Sequence, residues 1–126
     1  MRGNIAITML KKILIVDDEE DLRELFSQVL QAAGFDAHSA SGGHEALKFL
    51  QEQEFSAVLS DIRMPNGDGV ELLKNVKKNF PHLPFFIMSG YNDFSSDELI
   101  KMGAERVFSK PFNYEEFIKA LSDLLA

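Results

Sequence analysis

Short β-branched apolar runs alternate with helical periodicity along this chain, and that alternation restricts its fold more than any other feature. Ile13-Leu14-Ile15-Val16 is continuous and apolar, the pattern of a strand buried on both faces. Leu22, Leu25, Phe26, Val29, Leu30 and Ala33 then follow helical spacing, and Gly34 supplies a stop. Phe35 to Ser39 reads as a weaker strand, and Ala46, Leu47 and Leu50 mark a short helix. Ala57 to Ser60 is a strand, followed by a helix marked by Val70, Leu72, Leu73 and Val76. Pro84 to Met88 is another buried strand, Ser95 to Met102 a helix closed by Gly103, and Arg106 to Ser109 a short last strand. Asn113 and Glu116 form a capping pair before the stripe Tyr114, Phe117, Ile118, Leu121, Leu124 and Leu125. The order βαβαβαβαβα predicts an α/β fold, a parallel sheet with helices on both faces.

With 126 residues the chain is long enough for one domain and too short for two. It contains no cysteine, which excludes a disulfide scaffold and cysteine-based metal or redox chemistry and fits a cytoplasmic protein. No apolar run approaches the roughly 20 residues of a membrane span, and the first residues do not read as a signal peptide. The net charge of −7 disfavours direct contact with nucleic-acid phosphates.

In open α/β sheets the site lies beyond the carboxyl ends of the strands. Those ends carry Asp17-Asp18-Glu19-Glu20, Asp61, Ser89-Gly90 and Lys110-Pro111. The predicted fold therefore gathers Asp17, Asp18, Asp61, one hydroxyl and one ammonium on one rim, from loops far apart in sequence. Clustered carboxylates repel unless a cation intervenes. Mg²⁺ is commonly held by one or two carboxylates plus a phosphate. The Lys110 ammonium and Ser89 hydroxyl offer donors to a phosphoryl group. Such a cluster suits phosphoryl transfer onto a carboxylate. His38, His44 and His82 fall outside the rim and read as surface or structural residues.

The stretches IVDDEEDLRELF (Ile15 to Phe26), SDIRMPNGDGVELL (Ser60 to Leu73), IMSGY (Ile87 to Tyr91) and MGAERVFSKPF (Met102 to Phe112) resemble the receiver domain of two-component response regulators. The likeness runs from about Leu10 to the last residue. It implies a five-stranded flavodoxin-like sheet of order 2-1-3-4-5 in a receiver domain over 10–126. Residues 1–9 are then an N-terminal extension, expected to be loosely held. The resemblance implies that Asp61 accepts the phosphoryl group, and that Asp17, Asp18, Asp61 and the backbone carbonyl of Arg63 hold Mg²⁺. It implies that Ser89 bonds a phosphoryl oxygen, that Lys110 pairs with the phosphoryl group, and that Lys110–Pro111 is cis. Pro65 and Asn66-Gly67 are expected to shape the loop after Asp61. The implied donor is a histidine kinase or phosphotransfer protein. The implied readout is the face of the fourth helix, fifth strand and fifth helix, around Phe94 to Leu121. That face would bind a downstream protein or a second copy of the chain. The domain would catalyse its own phosphorylation and slow self-dephosphorylation without being an enzyme in the ordinary sense.

The chain departs from the family at Val107, where receivers often carry an aromatic residue that turns inward on phosphorylation. Phe108 is adjacent, but strand alternation aims it at the opposite face. Arg63 and Tyr91 stand two residues after Asp61 and Ser89, at positions that the resemblance implies tune the lifetime of the phosphoryl group. Rival readings are a phosphorylation-independent receiver scaffold, a receiver cut from a longer regulator or hybrid kinase, a haloacid-type phosphatase and a flavodoxin-like FMN protein. The phosphatase reading requires the nucleophile after the first strand. The flavodoxin reading requires a Ser/Thr-rich loop where this chain has acids.

Overall fold

The structure is a computed structural model that describes residues 10–64, 69–90, 95–111 and 113–125. Five strands and five helices alternate: β1 Lys12–Val16, α1 Glu20–Ala32, β2 Asp36–Ala40, α2 Gly43–Glu52, β3 Ala57–Asp61, α3 Gly69–Asn79, β4 Phe85–Ser89, α4 Ser96–Lys101, β5 Arg106–Ser109 and α5 Tyr114–Leu125. All ladders are parallel, and the sheet order is β2-β1-β3-β4-β5, as the resemblance implies.

The period-two geometry of a strand sends successive side chains to opposite faces, and the central strands are apolar on both. Leu14, Val16, Val58, Phe85 and Ile87 therefore face α2, α3 and α4, where they pack with Ala46, Leu50, Leu72, Leu73, Val76 and Leu99. Ile13, Ile15, Leu59, Phe86, Met88 and Phe108 face α1 and α5, where they meet Phe26, Leu30, Phe117 and Leu121. The second face is rich in rings. Phe86 stacks on Phe108 at 6.1 Å, and Phe117 meets both edge-on. Val107 packs on the α2–α4 side and Phe108 on the α1–α5 side, the split that alternation predicts.

The helix stops at Gly34 and Gly103 take φ of 93° and 114°. At each, the following N–H reaches five residues back, Phe35 to Leu30 and Ala104 to Leu99, which satisfies carbonyls left over at the helix end. Two caps differ from the sequence expectation. Asn113 Oδ1 accepts the N–H of Glu115, not that of Glu116. A side-chain cap of the third-residue kind lies instead at α4, where Ser95 Oγ accepts the N–H of Glu98 and donates to Glu98 Oε1.

Strands β3 and β4 each run one residue further than the apolar runs suggest. Asp61 pairs with Met88 in the ladder, and Ser89 pairs with Ser109. The two polar residues are thus the last rungs of the sheet, held by its hydrogen bonds. The Lys110–Pro111 peptide is cis, as expected. Among the described residues no helix is long and apolar enough to cross a membrane. Expectations for residues 1–9, Pro65, Asn66-Gly67, Tyr91 and Phe94 fall outside the described residues.

Candidate functional site

The sheet order explains why the predicted residues meet. β1 and β3 are neighbours, so Asp17 at the end of β1 and Asp61 at the end of β3 lie side by side. Carboxylate oxygens of Asp17, Asp18 and Asp61 all lie within 4.8 Å of one another. Asp17 is fully buried, Asp61 is 7% exposed, and Asp18 faces solvent. Lys110 enters from beyond β5 and donates from Nζ to Asp61 Oδ2 at 2.8 Å. Asp61 Oδ1 accepts a longer bond, 3.3 Å, from the N–H of Arg63. The Asp61 carbonyl accepts the Ser60 hydroxyl.

Asp17 is tied down on several sides. Its N–H donates to the Ala40 carbonyl, its Oδ1 accepts the N–H of Glu19 at 2.8 Å, and its carbonyl accepts Arg23 Nη1 at 2.8 Å. Its Oδ2 is buried without a hydrogen-bond partner among the described residues. A buried, unpaired oxygen on a carboxylate grouped with two others is costly to leave alone and suits a hard cation. The donor set is all oxygen, as Mg²⁺ requires.

Ser89 is buried beside this cluster, but its hydroxyl donates to the Gly90 carbonyl at 2.7 Å. The backbone N–H of Lys110 donates to the Ser89 carbonyl at 2.8 Å, joining the ends of β4 and β5. The structure thus brings Asp17, Asp18, Asp61, Ser89 and Lys110 to one rim, and Arg63 lies exposed next to it. The histidines lie elsewhere. His38 sits on edge strand β2 beside Asp36, edge-on to Phe55, while His44 and His82 are exposed.

Sequence reasoning missed two residues. Arg23, one turn into α1, is the donor to the Asp17 carbonyl. Gly69, the first residue of α3, rests on the end of β3, and a Cβ there would lie 2.3 Å from the Asp61 carbonyl oxygen. The Gly-rich run after Asp61 is the only sequence signal for the second. For the first there is none beyond a basic residue inside an acidic stretch.

Burial pushes the Asp17 carboxyl from its usual 3.8 up to about 6; the charges of Asp61 and Asp18 add to the rise, while the Glu19 N–H and Lys110 oppose it. For Lys110, burial works against the ammonium. The bond and charge of Asp61, with Asp17 and Glu19 further away, outweigh it and hold the amine above its usual 10.5. Lys110 therefore stays charged at neutral pH.

The Asp17 shift has a stability consequence. Its folded pKa lies above the unfolded one, so the native state holds the extra proton between about pH 4 and 6. Stability from this group is greatest below that window and falls as pH rises through it, by up to about 3 kcal/mol at roughly 1.4 kcal/mol per unit. Urea unfolding in chelator, compared with Asp17→Asn, should show wild type losing ground to the variant from pH 4 to pH 6. Parallel pH curves would sink this assignment.

Comparison with known proteins agrees with this arrangement. The pattern of the family described as "Response regulator receiver domain" matches residues 13–122. The chain therefore belongs to the receiver-domain family of two-component signalling. A Rickettsia bellii protein described as an NtrX-like response regulator is 38% identical over 109 residues, which are 84% of this chain and 23% of that protein. The "Transcriptional regulatory protein CpxR homolog" of Haemophilus influenzae is 35% identical over 117 residues, 92% of this chain and 51% of that protein. A response regulator receiver domain from Clostridium thermocellum superimposes with a TM-score of 0.86 at 28% identity, covering 90% of this chain and 93% of that one. The chain thus spans about a quarter to a half of the length of these two curated relatives.

Proposed function

We propose that this domain accepts a phosphoryl group on Asp61 from the phosphohistidine of a partner histidine kinase or phosphotransfer protein. The observation that carries this reading is the Asp61 carboxylate itself. It is fixed on the last rung of a central strand, bonded to Lys110 at 2.8 Å and grouped with Asp17 and Asp18. An Asp61 oxygen attacks phosphorus in line with the scissile P–N bond. That bond breaks, and its electron pair leaves with the imidazole nitrogen. The Lys110 ammonium stabilises negative charge on the phosphoryl oxygens. Ser89 exchanges its bond to the Gly90 carbonyl for one to a phosphoryl oxygen. Asp17, Asp18, Asp61 and the Arg63 carbonyl are the residues that would hold Mg²⁺, which when bound supplies further charge neutralisation at the transferring group. Water later attacks phosphorus, releases phosphate and restores the carboxylate.

The added charge of about −1.5 to −2 shifts the balance between two conformations of the domain. The face formed by α4, β5 and α5 presents the result to a downstream protein or a second copy of the chain. The net charge of −7 disfavours direct nucleic-acid contact by this domain. The share of the relatives' length that it spans favours a second reading of its setting, as the receiver part of a longer regulator. The test is intact mass after incubation with acetyl phosphate and Mg²⁺. One added phosphoryl group, absent with chelator, is the expected result. No uptake by folded protein would leave a scaffold that acts without phosphorylation or a receiver that accepts only from its cognate partner, and an assay with that kinase separates the two.

A further inference from the structure

We infer that Arg23 is a positioning residue for the acidic cluster, setting the aim of Asp17 and hence the affinity of the site for a divalent cation. The inference rests on the proposed Mg²⁺-dependent reading of the site. Arg23 lies one turn into α1, where its N–H makes a backbone bond to the Glu19 carbonyl. Helical side chains lean toward the N-terminus, so a long one at this position reaches back over the β1–α1 turn. Its guanidinium meets the Asp17 carbonyl at 2.8 Å, six residues earlier.

That bond completes a set. The Asp17 N–H is held by Ala40, Oδ1 by the Glu19 N–H, and the carbonyl by Arg23. The backbone of Asp17 is then fixed on both sides of its Cα, and one carboxylate oxygen is committed to the turn. Oδ2 is the polar atom left over, buried without a partner among the described residues, on a carboxylate grouped with those of Asp18 and Asp61. Glu19, the residue before α1, makes no side-chain cap, so the turn depends on Asp17 and Arg23 for its closure. Without the guanidinium the Asp17 carbonyl loses its anchor. The turn can then rotate, and Oδ2 leaves the aim that the cluster requires. Arg23 acts through backbone geometry and is not itself a ligand.

The test is Mg²⁺ titration followed by amide chemical shifts at Asp17, Asp18 and Asp61, in wild type, Arg23→Met and Arg23→Lys. Outer-shell partners typically govern metal affinity by about 10–100-fold, and Arg23→Met is expected to weaken binding by about tenfold. Arg23→Lys keeps one donor and is expected to recover part of that loss. Mg²⁺ affinity at the wild-type value in a folded Arg23→Met protein would overturn the inference. Should Arg23→Met not fold, Arg23→Gln, whose amide is too short to reach the carbonyl, takes its place with the same two outcomes. A wild-type protein whose three aspartate amides do not respond to Mg²⁺ would overturn the metal reading, and this inference with it. An equal response in wild type and variant removes only the role of Arg23.

Discussion

Asp61→Asn is expected to take up no phosphoryl group under conditions that label the wild type fully, while unfolding within about 1 kcal/mol of it. The amide matches the carboxylate in shape, so the last rung of β3 and its pairing with Met88 are kept. What disappears is the anionic oxygen that attacks phosphorus. Two electrostatic changes then oppose each other. The Lys110 ammonium, 2.8 Å away, keeps a hydrogen bond to the amide oxygen but loses the attraction of the opposite charge. The repulsion that Asp61 exerts on buried Asp17 is relieved at the same time. Intact mass measures the uptake and urea unfolding the stability. Uptake retained by Asp61→Asn would move the acceptor to another carboxylate, with exposed Asp18 the first to test.

Gly69→Ala should be more damaging than the same change at Gly34 or Gly90. Its Cβ would lie 2.3 Å from the Asp61 carbonyl oxygen, 2.7 Å from the Ile62 Cα and 2.9 Å from the Ile62 carbonyl oxygen. Each of those atoms is backbone, so no side chain can swing aside. The start of α3 would have to lift from β3, straining the 3.0 Å bond from the Gly69 N–H to the Ile62 carbonyl. Overpacking of this kind sits at the upper end of the usual range, about 3 kcal/mol, a fall in Tm of about 10 °C. Phosphoryl uptake should slow as well, because the atom pushed is the carbonyl of the acceptor residue. Gly34→Ala is the comparison. Gly34 has a φ of 93° and open space where the Cβ would go, so only backbone strain of about 1–2 kcal/mol applies. Thermal unfolding of both variants decides the matter, and Gly69→Ala proving the milder would refute the close approach.

These variants also show where the sequence could be read and where it could not. The faces of the sheet were legible because period-two alternation is local. Phe108 and Val107 divide between the two cores as that rule requires. The rim residues were legible because parallel topology places every strand end on one side. What escaped depends on distances across the fold. The ladder extends one rung past the apolar residues because β4 runs alongside β3, so Asp61 and Ser89 belong to strands and not to loops. Asp17 and Asp18 look alike in sequence, yet one is fully buried and the other exposed. Asp17, just past the end of β1, is still held by its N–H to the Ala40 carbonyl, and the turn that follows carries Asp18 out. Gly69 resembles any loop glycine until α3 is laid against β3. Ser95 and Glu98 have the same spacing as Asn113 and Glu116, yet Ser95 caps the N–H three residues on and Asn113 the one two residues on, a difference set by the local backbone.

Lys110 and Asp61 are 49 positions apart in the chain and 2.8 Å apart in space. The strand between them in the sheet, β4, lies between them in the chain as well. Each ladder closes only after a crossover through a helix, so every strand–strand pairing is of long sequence separation, a feature that slows folding. The acceptor therefore has no local precursor. A chain folded only through β3 would hold the three aspartates with no ammonium to meet them, and one folded through β4 would add the hydroxyl alone. The pairing of Asp61 with Lys110 therefore exists only where the sheet is complete from β3 to β5.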